Sequence, residues 1–411
     1  MQVSNHGRVA FIFFPPRPET MPLDTMPFAA HIIKQLAGAH CQIDVFCFNS
    51  SNSSYPDDLF LDNVRYKHVK VCSARNKMKF AELTLRFARY MRYKSVFSVG
   101  LIGSYIGGLV SAVSRCPFVL LNDEFPSMYE QPNMHGYSGW LPLERWAARR
   151  ADAIVVPSDN RVATLRDELQ LNTDKPFITV RNTPELKLPS QHIDWHKCMG
   201  IPRGKKIFIN AGSLTDWAQV PEILASASYW PAEVVVLLHN SRASGDELAS
   251  YRRQLSHLDN PEKVFWSSDL LPEKMLNSLV SYCAGSFALY RNTGSNFEQV
   301  GTSSGKLMRS IVCCTPVITS NFESLNFVSK EGVGLQVTHP SEIPGAVENL
   351  IRNTEKYRAR CAQFVSAEKT LREEAWNRIV QCIEGSPRRR ASGPFSEVKM
   401  STPSCAIRQR R

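Results

Sequence analysis

The sequence predicts a two-lobed α/β protein in which each lobe is a parallel sheet covered by helices. Short runs apolar at nearly every position, such as Arg8–Phe14 and Lys206–Ala211, alternate with segments of helical spacing. A strand that is apolar on both faces is buried on both faces, which is the signature of a parallel sheet. The alternation occurs twice, on either side of a polar, Pro-containing stretch from Glu185 to Lys205 that reads as a linker. A chain of 411 residues is long enough to bury two cores.

In the first lobe, strands are predicted at Arg8–Phe14, Ile43–Phe48, Val64–Val71, Ser95–Val99, Pro117–Leu121, Ala153–Val156 and Phe177–Val180. Helical spacing falls at Pro27–Ala37, Lys79–Tyr93, Glu144–Arg150 and Arg161–Leu169. Ser95–Val113 carries no charge across nineteen residues, near the length that spans a bilayer. Its four serines and four glycines instead suit a buried strand, a turn and a helix. In the second lobe, strands are expected at Lys206–Ala211, Glu233–Leu238, Val264–Phe265, Ser286–Tyr290, Thr315–Thr319 and Gly334–Val337. The intervening helices are Val220–Ala227, Asp246–Leu255, Pro272–Tyr282 and Gly305–Val312, with Ile343–Arg352 and Glu355–Cys382 at the end. Residues 1–187 and 188–369 are the expected lobes, and the Ser-, Pro- and Arg-rich residues 385–411 read as a disordered basic tail.

Hydrophobic content of 43% and charged content of 21% describe a folded protein without bias toward disorder or a membrane. The opening residues do not have the pattern of a signal peptide. Eleven cysteines show no C-x-x-C pair and no regular spacing, so packed free thiols and a reducing, cytoplasmic compartment are expected. The net charge of +11 is concentrated. Residues 65–94 carry +9 and residues 387–411 carry +6, which leaves −4 for the rest.

The most informative stretch is Gly301–Ile318, GTSSGKLMRSIVCCTPVI. Thr302, Ser303 and Ser304 are helix-capping residues, and Gly305 permits close approach of a ligand to the backbone. A helix start attracts anions through its unpaired N–H groups and summed peptide dipoles. Lys306 adds a mobile positive charge suited to a phosphate. The competing structural reading is an ordinary capped helix. By strand-end position, Asp123 and Glu124 of Asn122-Asp123-Glu124 are placed to orient a hydroxyl or act as a base, though acids after strands also start turns. His135, His239 and Glu298 are candidates by position alone.

Between Lys79 and Lys94, the basic residues Arg86, Arg89 and Arg92 interleave with Phe80, Phe87, Tyr90 and Met91. Such a mixture suits an anionic membrane surface as well as it suits a solvated helix face. Nucleic acid is not expected, because no recognition motif accompanies the charge.

In their order, Gly212-Ser213 after a strand, SGKLMRSIVCCTPVITS, EGVGLQV at Glu331–Val337, and WAARRADAIVVPSDNRVATL at Trp146–Leu165 resemble the retaining-type GT-B glycosyltransferases of family 4. The likeness spans residues 8–384, is stronger in the second half, and rests on order and spacing. It implies two Rossmann-like domains facing across a cleft, with a closing helix, residues 370–384, crossing back to the first lobe. It further implies a nucleotide-sugar donor in the second lobe and a glycan or lipid-linked acceptor in the first. Neither a metal nor another cofactor is then needed.

On that reading Gly212, Ser213, Arg291, Glu298, Thr302, Ser303, Ser304, Gly305 and Lys306 hold the donor, and Asp123 or Glu124 serves catalysis. The resemblance places the protein in the cytoplasm, peripheral on the inner membrane, in polysaccharide or glycoconjugate assembly. The chain departs from the pattern in two places. Arg309 stands where family members commonly carry an acid for the donor ribose, and Ser213 and Ala218-Gln219 replace the Arg and Lys of the first phosphate loop. The alternatives are therefore a nucleotide-sugar epimerase and a non-catalytic binder of nucleotide sugar or glycan.

Overall fold

The computed structural model describes residues 7–14, 26–49, 62–70, 75–127, 139–240, 245–269 and 271–386. His135, Cys72, Cys405 and residues 387–411 of the expected tail lie outside these residues, whereas Gly385 ends the last helix and Ser386 is buried, donating to Asp152 at 2.9 Å.

The first lobe runs β1 (Arg8–Phe13), α1 (Pro27–Gly38), β2 (Gln42–Asn49), β3 (Val64–Lys70), α2 (Arg75–Met91), β4 (Ser95–Val99) and α3 (Leu101–Ser114). It continues with β5 (Phe118–Leu121), α4 (Leu141–Arg150), β6 (Ala153–Val156), α5 (Val162–Glu168) and β7 (Phe177–Thr179). These strands form a seven-stranded sheet in the order β3-β2-β1-β4-β5-β6-β7, every pair parallel. Strand β1 shows why the apolar runs predicted it. Val9, Phe11 and Phe13 pack on one face of the sheet, and Ala10, Ile12 and Phe14 on the other.

The uncharged segment 95–113 is β4 followed by α3, as the sequence suggested, and among the described residues no helix is long and apolar enough to cross a membrane. Its glycines serve close packing. A Cβ on Gly107 would lie 2.7 Å from Ser98 and 2.9 Å from the Phe118 ring, and one on Gly108 would lie 2.6 Å from Trp146 of α4. Neither separation is sterically tolerable, so α3 can sit this close to the sheet and to α4 only with glycine there.

The Glu185–Lys205 stretch is less free than a linker composition implies. It contains α6 (Trp195–Cys198), and Trp195 is 2% exposed, with its indole N–H donating to Ser278 Oγ at 3.1 Å. The connection is thereby fastened to the second lobe.

The second lobe comprises β8 (Lys206–Ala211), α7 (Val220–Ala227), β9 (Val234–His239), α8 (Gly245–Gln254), β10 (Val264–Ser267), α9 (Glu273–Tyr282) and β11 (Gly285–Ala288). After these come α10 (Ser295–Glu298), α11 (Gly305–Val312), β12 (Val317–Ser320), α12 (Asn326–Lys330), β13 (Gly334–Val337), α13 (Ile343–Arg352) and α14 (Thr354–Gly385). Six parallel strands lie in the order β10-β9-β8-β11-β12-β13. The strand order reverses between β8 and β11, the position where open α/β sheets bind ligands.

Helix α14 joins the two lobes. Its early residue Cys361 is buried in the second-lobe core, whereas Ala375 and Ile379 are buried in the core of the first. Midway, Glu368 accepts from Arg181 (2.8 Å) and Thr183 (3.2 Å), both just past β7. The nine described cysteines are free thiols.

Candidate active site

A cavity of 1040 Å³ opens between the carboxyl ends of the two sheets. Its second-lobe wall includes Ala211–Thr215 after β8, His239 at the end of β9, Tyr290 after β11, and Ser303–Lys306 and Arg309 around the start of α11. From the first lobe come Met26–Phe28 before and within α1, Asp123 and Glu124 after β5, Pro157 after β6, Arg161, and Asn182 after β7.

The α11 start is built as its sequence requires. Ser304 caps the helix, its hydroxyl accepting from Leu307 N–H at 3.1 Å, and it also contacts the Tyr290 hydroxyl. Lys306 then extends into an aromatic corner. Its ammonium stands 4.6 Å from the Tyr290 ring centroid and 5.7 Å from that of Trp217, and 3.4 Å from the Leu289 carbonyl. Among the described residues no carboxylate pairs with it. Burial lowers its pKa to about 7, so near neutrality the ammonium is held without a counter-ion. Arg309, one turn on, is engaged by Asn277 Oδ1 (2.5 Å) and Glu273 (3.8 Å) on α9 while also lining the cavity.

On the opposite wall, Asp123 and Glu124 are half-buried, and burial pushes both carboxyls well above the usual carboxylate range. Their mutual repulsion adds to this at Glu124, and the Arg161 guanidinium opposes it at both. Behind them, Glu144 is 2% exposed and bonded by the Asn122 side-chain amide at 3.2 Å. Burial, with the nearby Asp123 charge, lifts its pKa to about 8. Arg161 thus acts on Asp123 and Glu124, while Glu144 behind them feels the Asp123 charge, so ionising all three carboxyls together is opposed by their mutual repulsion.

Of the residues singled out from sequence, Asp123, Glu124, Gly212, Ser213, Ser303, Ser304, Gly305 and Lys306 line the cavity. Three residues expected on the donor side are not among those lining the cavity. Arg291 turns away and pairs with Glu222 of α7. Glu298 is exposed off the cavity, with its carbonyl accepting from Ser324 Oγ at 2.7 Å. Thr302 is buried and donates to the Pro157 carbonyl at 2.8 Å, fastening the loop to the first lobe rather than facing a ligand.

The next residue back, Gly301, has φ +41°, and a Cβ there would lie 2.5 Å from Ser158 Oγ. This loop must therefore be glycine where it meets the first lobe. His239 lines the cavity but is 1% exposed, its Nδ1 3.1 Å from Ser267 Oγ. Burial depresses its pKa to about 4, which leaves it a neutral imidazole.

Sequence reasoning missed Arg161, Asn182, Asn296 and the aromatic trio Trp217, Tyr290 and Phe297. Trp217 and Phe297 have ring centroids 4.9 Å apart, and Trp217 stacks on Tyr290 at 6.2 Å. Arg161 carried one usable signal, a basic residue three positions after the Ser158 that follows an apolar strand.

No family model matches the chain, and no curated protein matches it by sequence. Solved structures do match. Sucrose-phosphate synthase from Thermosynechococcus elongatus superposes with a TM-score of 0.71 at 14% identity, covering 92% of this chain and 100% of that one. Anabaena HepE, solved with UDP-glucose, gives 0.67 at 12% identity, again over 92% and 100%. The glycosyltransferase WaaG, involved in lipopolysaccharide biosynthesis, gives 0.57 at 12% over the same shares. The chain has the GT-B fold. Identity this low speaks for the architecture, and the chemistry must be argued from the cavity.

Proposed function

We propose that the protein is a glycosyltransferase that moves a sugar from a nucleotide-sugar donor to a hydroxyl of a glycan or lipid-linked acceptor. One observation supports this above the others. The cavity sets a half-buried lysine at a helix start, with no carboxylate partner among the described residues, across from a half-buried carboxyl pair. Transfer needs that polarity, because charge develops on a departing diphosphate at one end while a hydroxyl proton is taken up at the other.

Lys306 and the N–H groups of Gly305 and Lys306 receive the diphosphate, with Gly212 and Ser213 on the neighbouring strand end. Asp123 or Glu124 orients the acceptor hydroxyl and accepts its proton. Trp217, Tyr290 and Phe297 supply apolar faces for a sugar ring. No step in this scheme calls for a metal. The family resemblance brings the expectation of hexosyl transfer with retention, in which the hydroxyl approaches on the face that the diphosphate leaves. NMR of the first-formed product separates this from the inversion that in-line attack by a hydroxyl deprotonated opposite the diphosphate would give.

The test of the whole reading is a thermal-shift screen against nucleotides and nucleotide sugars, followed by product analysis. A ligand that binds only the folded state raises Tm by mass action. One nucleoside diphosphate series should raise Tm in the parent and fail to do so in Lys306→Ala. Transfer, interconversion of the sugar, or binding alone then separates a transferase from an epimerase and from a non-catalytic binder. No shift with any nucleotide would overturn the reading.

The acceptor is proposed to lie at an anionic membrane surface reached through α2, on the cytoplasmic side. On this helix Met78 and Tyr90 are 71% and 74% exposed, and Lys79, Arg86 and Arg89 share the exposed side, followed by Arg92 and Lys94. The opposite side, with Phe80, Thr84 and Ala88, is buried. Each basic residue near an anionic surface is worth roughly 1 kcal/mol. Replacing Arg86, Arg89 and Arg92 by Glu should therefore lower co-sedimentation with phosphatidylglycerol vesicles by at least ~100-fold. Unchanged co-sedimentation would dispose of this surface.

A further inference from the structure

The segment between β11 and α11 belongs to the second lobe, yet its polar side chains engage the first. Asn296 Oδ1 accepts from the Phe125 N–H at 3.2 Å and from Arg161 Nη2 at 2.7 Å. The other terminal nitrogen of Arg161 donates to Ser303 Oγ at 3.3 Å. Close by, Asn182 donates its backbone N–H to Thr302 O (3.1 Å) and its side-chain amide to Ser303 O (3.0 Å). Gln299 bonds Thr164 at 2.7 Å.

Arg161 is 2% exposed and lies 4.2 Å over the ring of Phe125, the residue directly after Asp123 and Glu124. Second-lobe atoms therefore set the orientation of a first-lobe guanidinium whose charge acts on the first-lobe carboxyls. The same loop leads, eight residues after Asn296, into the Ser304 cap and the phosphate-facing start of α11.

We infer that Asn296 is a positioning residue: it fixes Arg161 and the Phe125 backbone against the Asp123–Glu124 pair, so the help that the guanidinium gives to the pair's charge depends on docking of the donor-side loop. This rests on the reading of Asp123 and Glu124 as the acceptor-side carboxyls. It goes further by making their state depend on the loop that holds the donor. The charged groups facing the pair are Arg161 at the head of α5 and Glu144 on α4, and Glu144 in turn faces Glu168 and Arg145. Of these, Arg161 is the cation that acts on both members of the pair.

The test uses the full chain and needs no ligand. Burial already lifts the folded-state pKa of the pair above its unfolded value, so the pair costs stability as pH rises through that window. Loosening Arg161 lifts it further. The Tm deficit of Asn296→Ala relative to the parent should widen by about 3 °C between pH 5.5 and 8. In an Asp123→Asn/Glu124→Gln background the same deficit should be flat with pH. Ser303→Ala, which removes the Ser303 contact with Arg161, should show the same trend more weakly, and it serves if Asn296→Ala does not fold. A deficit independent of pH in the native carboxyl background would show a merely structural contact and overturn the inference. Sugar-nucleotide turnover plays no part in this readout, so a failed donor screen and a failed inference are told apart.

Discussion

Asp123→Asn and Glu124→Gln, made singly, are expected to identify the group that takes the acceptor proton, with turnover falling about 10²–10⁴-fold in the variant that loses it. The nucleotide-induced Tm shift should be unchanged in both, because the pair lies on the first-lobe wall and the proposed diphosphate contacts lie after β8 and at the start of α11. The pH dependence carries the stronger constraint. A base works only when ionised, and burial raises both carboxyls, with Arg161 drawing them back down. Turnover should therefore climb with pH over a range above the ordinary carboxylate pKa of ~4. Arg161→Lys should move that climb to higher pH, since a compact ammonium cannot reproduce the fork that meets Asn296 and Ser303. Parental turnover in both single variants would remove the pair from catalysis and leave the cavity as a binding site.

The fold was legible because parallel strands announce themselves. Val234–His239 and Ala153–Val156 are buried at every position, and no other short element of a soluble chain needs such a run. Helix α11 and strand β13 fell where the sequence placed them, α11 because its Ser304 cap and apolar stripe leave one register. What escaped was short and polar. Helix α10, SNFE, and helix α12, NFVSK, are too brief to show a period and exist because the loops around them are pinned. Gln299 is held by Thr164 and Gly301 by Ser324.

The cavity lining was legible on its second-lobe wall and obscure elsewhere, for a physical reason. Ser303–Lys306 is one contiguous stretch whose chemistry is local, since a cap, a glycine and a lysine at a helix start attract an anion in any fold. The first-lobe wall is assembled from pieces far apart. Arg161 and Asn296 are separated by 135 positions, and neither residue alone suggests that an arginine would be held by one lobe and act on the other. Thr302 misled for the related reason that local chemistry cannot say which lobe a loop faces. Its hydroxyl is of the right type for a phosphate, but the docked loop turns it to the Pro157 carbonyl. Arg291 was expected to supply charge missing from the first phosphate loop, and its pairing with Glu222 leaves Lys306 as the donor-side cation without a carboxylate partner among the described residues.

Lys306 therefore gives the sharpest test of the donor side, through protons as well as affinity. Lys306→Met should weaken nucleoside diphosphate binding by about 1–3 kcal/mol, the range for a hydrogen bond to a charged group. In the free protein burial holds the ammonium at about pH 7, while a bound diphosphate stabilises the charged form and raises that value. Binding above neutrality must then take up a proton. Affinity should fall by up to tenfold per pH unit from about 7 toward 9, and titration calorimetry at pH 8 in buffers of different ionisation enthalpy should show uptake approaching one proton.

The sign for stability runs the other way. A lysine whose folded pKa lies below its unfolded value of 10.5 destabilises the free fold most at neutral and lower pH, and that penalty fades as pH rises from about 7 to 10.5. Lys306→Met should accordingly raise the Tm of the ligand-free protein at pH 7 while removing most of its response at a nucleotide concentration near the parent's Kd. A variant both less stable and still responsive would mean that the ammonium between Tyr290 and Trp217 is a packing element. A variant more stable and unresponsive would mean that the fold holds this charge uncompensated so that a diphosphate can complete it.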